Sequence, residues 1–157
     1  MNHSAKTGLG FGLTSAVITT LGLMIGINSG THSRTAVIGS VIMIAVADAL
    51  SDSLGIHISE ESQGTYTQET IWRSTVYTFL TKFGTGITFL IPLLLLPLQT
   101  AVLVAIVWGL LILGVFSYYT GMQEEMSSWR VVLEHEMIAL VVIVSTHLIG
   151  TLLPATA

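Results

Sequence analysis

The sequence predicts an all-α integral membrane protein, a bundle of about five transmembrane helices, and two observations predict it. The 157 residues are 52% hydrophobic and only 9% charged, and the charges cluster between long apolar runs, which is membrane composition. From Phe83 to Gln123 there is no Asp, Glu, Lys or Arg, a stretch far longer than the roughly 20 residues that cross a bilayer once. It must turn back on itself, and Pro97-Leu98-Gln99-Thr100 is the natural place.

The whole chain, 1–157, reads as one transmembrane domain with spans at roughly 8–28, 36–58, 74–97, 101–120 and 132–153. Asn28-Ser29-Gly30-Thr31 is a turn-rich break after the first span, Gln63-Gly64-Thr65 interrupts the chain after the second, and Pro154 closes the fifth. Met1 to Lys6 is too short and weakly charged to be the basic leader of a signal peptide, so the apolar segment after it is expected to be a permanent helix. With an inside amino terminus, Lys6, Arg73 and Arg130 fall on the cytoplasmic side and only Arg34 outside. Gly8, Gly10, Gly12, Ser15 and Thr19 in the first span, and Gly84 and Gly86 in the third, let helices approach closely in lipid. Met24 and Met43 read as core filler.

Several classes are excluded. Without cysteine there is no disulfide framework or thiolate metal site. The formal charge of -4 is spread over loops and helix ends, so nucleic acid is not an expected partner. Enzymatic activity is not expected either. Intramembrane aspartyl proteolysis needs acids on two facing helices, and Glu134-His135-Glu136-Met137 lacks the second histidine of a His-Glu-x-x-His zinc site.

The chemistry concentrates in the second span. Ala47-Asp-Ala-Leu-Ser-Asp-Ser-Leu-Gly puts Asp48 and Asp52 one helical turn apart, on one face with Ser51 and Gly55. An ionised carboxylate near the bilayer centre costs several kcal/mol, so it must face a partner, a cavity or an ion. Two so close should not both ionise unless a cation neutralises them. A divalent metal would do so and expel protons on entry. The alternative is a protonated Asp48 bonded to a neighbouring helix, with Asp52 paired to Lys82. Lys82 itself lies within the third span and reads as a side chain snorkelling to the inner headgroups. Glu60, Glu61 and Glu134, with His135, are candidates to gather a cation at the inner mouth, or ordinary interfacial groups. His147, deep in the fifth span, could relay protons or simply bond across helices.

Read end to end, the chain resembles the vacuolar iron transporter family. Phe11-Gly-Leu-Thr-Ser-Ala-Val-Ile-Thr-Thr-Leu-Gly-Leu is similar to that family's first span, and Ala47 to Gly55 with Ser59 and Ser62-Gln63 to its second. Thr78-Phe-Leu with Leu90-Ile-Pro-Leu-Leu-Leu-Leu-Pro resembles the third, Leu113-Gly through Thr120-Gly the fourth, and Thr146-His-Leu-Ile-Gly the fifth. The resemblance implies a homodimer with a pore at the subunit interface that exports ferrous or manganous ions from the cytoplasm in exchange for protons. Three positions depart from the pattern. Ser15 stands where the family has its first-span aspartate, Asp52 stands for a methionine and Ile56 for a glutamate. The family's glutamate-rich cytoplasmic metal-binding helices are reduced to about Glu60 through Trp72, making this a short form.

The resulting expectation is a proton-coupled carrier of divalent cations, Fe2+ or Mn2+, with no resident cofactor. Asp48 and Asp52 of both subunits form the centre, Ser15, Thr19 and Ser51 complete the oxygen shell, and Glu60, Glu61 and Glu134 attract ions. His135, His147 and Lys82 are accessory or proton-relay candidates. Exchanging thioether for carboxylate favours harder ions such as manganese, magnesium or calcium. The rivals are a non-transporting membrane partner that keeps the fold, and a carrier of a different cation. A prokaryotic plasma membrane is the expected location, or a vacuole-like membrane in a eukaryote, with lipid and a second copy as partners.

Overall fold

The computed structural model describes residues 3–123 and 127–153. Apolar sequence with few backbone breakers folds into α1 (His3–Thr31), α2 (Arg34–Gln63), α3 (Gln68–Thr88), α4 (Leu90–Leu95), α5 (Leu98–Gln123) and α6 (Ser128–Leu152). Taking α3 and α4 as one segment, Gln68–Leu95, five helices are long and apolar enough to cross a membrane. The chain is therefore a multi-pass membrane protein in architecture; every span begins earlier than the range read from hydropathy, and the first, second and fourth also end later, whereas the third and fifth end one or two residues sooner.

The turns differ from expectation in instructive ways. Asn28 to Thr31 continues the first helix, and the break falls at His32 and Ser33 instead. Ser33 Oγ there accepts the Ala36 amide at 3.4 Å and caps α2. Gly64 does end α2, in the left-handed region at φ 65°, where a glycine carries no Cβ penalty. Thr67 then caps α3 through the Thr70 amide at 3.3 Å. The division of the third span at Phe89 was not anticipated, although Pro92 explains it. Proline has no amide for the Thr88 carbonyl and its ring crowds that carbonyl, so the helix breaks and restarts. Arg34 Nη2 satisfies the carbonyls left at the end of α4, donating to Leu93 O at 2.7 Å and Leu94 O at 2.9 Å. Pro154 lies outside the described residues.

α1 is the central helix and packs against α2, α3, α5 and α6. Its Val17, Leu21, Met24 and Ile25 form a core with Val37, Val41, Phe89, Leu93, Ala105 and Leu113. Met24 fills that core as read; Met43 instead faces outward and is exposed. Most large apolar side chains on α2, α5 and α6 are likewise exposed, including Leu50, Leu103, Val107, Leu140 and Val144. Such a surface needs lipid or another apolar chain around it.

Two close approaches fix the position of α1. In its first half, a Cβ on Gly8 would collide with Tyr77, and one on Gly12 would lie 3.0 Å from the Thr78 carbonyl oxygen. In its second half, a Cβ on Gly150 of α6 would collide with the Gly26 carbonyl oxygen. A Cβ on Gly10 or Gly84, both read as packing residues, would meet nothing within 4 Å among the described residues. The chain thus places α3 against one end of α1 and α6 against the other, as small-residue contacts do in membranes.

Candidate functional site: a charge cluster at mid-helix

Asp48 lies fourteen positions into α2 and Lys82 fourteen positions into α3, counting from Arg34 and Gln68, which is about 21 Å along each helix at 1.5 Å per residue. That depth is the middle of a hydrocarbon core about 30 Å thick, with allowance for the headgroup zone. The close contact of Gly12 with the α3 backbone brings Ser15, one turn further along α1, beside the Lys82 side chain. Three helices therefore meet at one charged point.

Lys82 does not snorkel. Its side chain is 2% exposed, and its Nζ sits 2.7 Å from Asp48 Oδ2. The same ammonium pairs with Asp52 Oδ2 and donates to Ser15 Oγ at 2.8 Å. All three of its protons are thus used. Ser15 Oγ in turn donates a hydrogen bond to Asp52 Oδ2 at 2.9 Å. Thr19 Oγ1 lies 2.8 Å from Asp48 Oδ2 and equally close to the Ser15 carbonyl, so its single proton is shared between a carboxylate and its own helix. The Phe11 ring lies 6.0 Å from Lys82 Nζ, at the outer limit of a cation–π contact.

The carboxylates are less enclosed than the lysine, with Asp48 25% and Asp52 23% exposed. Beside them on α2, Ala47 and Ser51 are exposed. Ser51 is exposed in the single chain, and no hydrogen bond joins it to the cluster among the described residues. The sequence alternative that paired Asp52 with Lys82 describes half of what is present; the ammonium holds both acids.

The remaining candidates lie elsewhere. Glu60 is buried at the His3 end of the bundle, where His3 Nε2 meets its Oε1 at 2.8 Å and its Oε2 has no hydrogen-bond partner among the described residues. His3 is itself stacked on Tyr66 with ring centroids 4.3 Å apart. Glu61 is exposed. Glu134 is exposed and paired with Arg130 at 3.0 Å within its own helix, an arrangement worth little in energy. His135 Nδ1 lies 2.7 Å from the buried Ser117 hydroxyl, and His147 Nδ1 lies 2.7 Å from Ser29 Oγ across α1 and α6. No three His, Asp or Glu side chains gather into a metal cage among the described residues.

The arrangement has a definite chemical character. Two carboxylates and one ammonium carry one surplus negative charge, which a single proton would cancel. A cation arriving from outside must compete with Lys82 for Asp48 and Asp52. Sequence reasoning missed the His3–Glu60 contact, which joins residues far apart in the chain, and no local signal marks it. Counting along adjacent antiparallel helices puts Lys82 level with Asp48, but the spacing does not say which faces of α2 and α3 meet at α1.

Fold and site together define a multi-pass helical membrane protein with a buried, charge-bearing hydrogen-bond cluster at mid-membrane depth. Comparisons with protein-family models, with curated proteins and with solved structures find no match to this chain.

Proposed function

We propose that this protein is a proton-coupled cation carrier whose coupling site is the Asp48–Lys82–Asp52 cluster. The observation that carries the reading is a fully buried ammonium held between two acids at mid-helix depth. Ionisable groups are costly in that environment and mark ion or proton pathways far more often than they serve as anchors. The surplus negative charge lets the site take up one proton, which is released when a cation binds in its place, and the lysine gives it an internal occupant that an incoming cation displaces.

The resemblance to the vacuolar iron transporters supports divalent metal as the substrate, with Fe2+ or Mn2+ exported from the cytoplasm. The all-oxygen donors Asp48, Asp52, Ser15 and Thr19 favour manganese over softer ions. The open edge of the two aspartates, beside exposed Ala47 and Ser51, supports a homodimer in which a second copy completes the pore wall. The orientation in this reading puts the amino terminus in the cytoplasm and the chain in a plasma membrane.

The test is manganese and iron(II) flux into proteoliposomes with and without a proton gradient. Wild type should carry at least one of these ions, dependent on the gradient, and Asp48→Asn and Asp52→Asn should each lose at least ten-fold. Equal flux in all three removes the site assignment. A second reading, a non-transporting membrane partner, draws on the internal satisfaction of the cluster by Lys82, Ser15 and Thr19. It predicts no flux of any divalent ion in wild type.

A further inference from the structure

At the end of the bundle opposite Glu60, α1, the α1–α2 turn, α5 and α6 border an open cavity of about 370 Å³, with His32 and His147 exposed at its wall. Its polar wall carries His32, His147, Asn28 and Gln99. We propose that this cavity is a binding site for a borderline divalent transition-metal ion of the zinc, cobalt or nickel type, with the imidazoles of His32 and His147 as its principal ligands.

Four observations converge on it. First, two imidazoles, His32 from the α1–α2 turn and His147 from α6, line one cavity that no carboxylate of the described residues lines. Imidazole suits zinc, nickel and iron, whereas magnesium and calcium require carboxylate and carbonyl oxygen. Second, the Ser29 contact at 2.7 Å occupies His147 Nδ1 and leaves Nε2 as the free ring nitrogen. A hydrogen bond on one nitrogen is how proteins orient a ligating histidine. Third, His32 is the one non-glycine residue at positive φ among the described residues, at 50°. Its amide is held by the Asn28 carbonyl at 3.0 Å, so this uncommon conformation is imposed by the turn. Fourth, Asn28, on the same wall, has a buried Oδ1 with no hydrogen-bond partner among the described residues, and a buried acceptor normally has one.

The size of the cavity bears on how an ion would sit there. At about 30 Å³ per water it holds roughly a dozen, so an ion ligated by two imidazoles keeps part of its hydration. The Asn28 and Gln99 carboxamides would then bond to the retained waters or enter as ligands. Two protein nitrogens and no formal negative charge make a site that binds an ion and releases it readily. The inference rests on the donors of this cavity and does not require the mid-membrane cluster to transport.

Zinc binding by the full-length protein in detergent, measured by titration calorimetry, tests it directly, with the visible spectrum of bound cobalt as a second readout. Wild type should bind zinc at one site per chain, with magnesium and calcium failing to compete. His32→Ala and His147→Gln should each weaken binding at least ten-fold and abolish the cobalt spectrum. The glutamine retains a partner for Ser29, so folding is preserved, and a single symmetric gel-filtration peak verifies it. Asp48→Asn should bind zinc like wild type, which separates this site from the coupling cluster. Wild type that binds no zinc overturns the proposal. So does undiminished binding in both histidine variants, or binding lost only on replacing His3, His57 or His135.

Discussion

Replacing Lys82 by methionine isolates the energetic role of the ammonium. The side chain is 2% exposed and fits an apolar stem of similar length, so the volume at the helix crossing is nearly kept. What disappears is the cation that holds Asp48 and Asp52 together. Removing one partner of a buried ion pair costs about 3–5 kcal/mol, because the other charge is left uncompensated. Both aspartates keep about a quarter of their surface open, and Ser15 and Thr19 still donate to them. The expected loss is therefore near the lower bound, about 3 kcal/mol, or more than a hundred-fold in the folding equilibrium. The assay is unfolding in mixed micelles of rising SDS fraction, followed by helical circular dichroism. Lys82→Met combined with Asp48→Asn and Asp52→Asn should recover most of the loss, since the uncompensated charges go too. A single variant as stable as wild type, or a triple variant no better than the single one, refutes the reasoning.

Two further predictions concern packing and the second buried acid. Gly150→Ala drives a methyl into the Gly26 carbonyl and to within 2.9 Å of Ser29 Cβ, and overpacking of this kind costs about 1–3 kcal/mol. Gly10→Ala, which meets nothing within 4 Å, should instead stabilise by about 0.5–1 kcal/mol through helix propensity; equal effects in the same unfolding assay would contradict the assigned α1–α6 contact. His3→Ala removes the one hydrogen-bond partner that buried Glu60 has among the described residues and should cost about 1–3 kcal/mol, the penalty for an unsatisfied buried polar group. The loss should shrink when Glu60→Met is added, and an additive loss in the double variant counts against the pairing.

The helices were legible because their signal is collective: long apolar runs give five spans whatever their details. Turns were less so. Asn28 to Thr31 has turn composition yet stays helical, because the next residues supply a better stop: the chain turns at His32 and Ser33, where Ser33 caps α2. The break at Phe89 needed only the position of Pro92. Asp48 and Asp52 were visible as expensive residues, and so was Lys82. Their meeting was not, since the snorkelling reading treats each helix alone while the pairing depends on which faces of α2 and α3 adjoin α1. Ser51 shows the same limit in reverse. Helical spacing put it on one face with the aspartates, but the arc facing α1 and α3 ends between Asp52 and Ser51, leaving the serine outside.

α1 accounts for the positions of both clusters. Its first-half glycines seat it on α3 and so deliver Ser15 to Lys82; its second-half glycine Gly26 seats it on Gly150 of α6 and so delivers Ser29 to His147. The two serines are fourteen residues apart on one unbroken helix, about 21 Å along its axis at 1.5 Å per residue. One element therefore holds a hydroxyl in the mid-membrane charge cluster and another at the cavity near its far end. Gly8 and Gly150 tolerate no added methyl at those contacts, so the position of α1 is fixed from two sides by backbone rather than by flexible side chains. That rigidity explains how a chain with so few charged residues can hold an ammonium and two acids in register at mid-membrane depth: the alignment is set by helix contact, and the ion pairs form within a geometry the glycines have already determined.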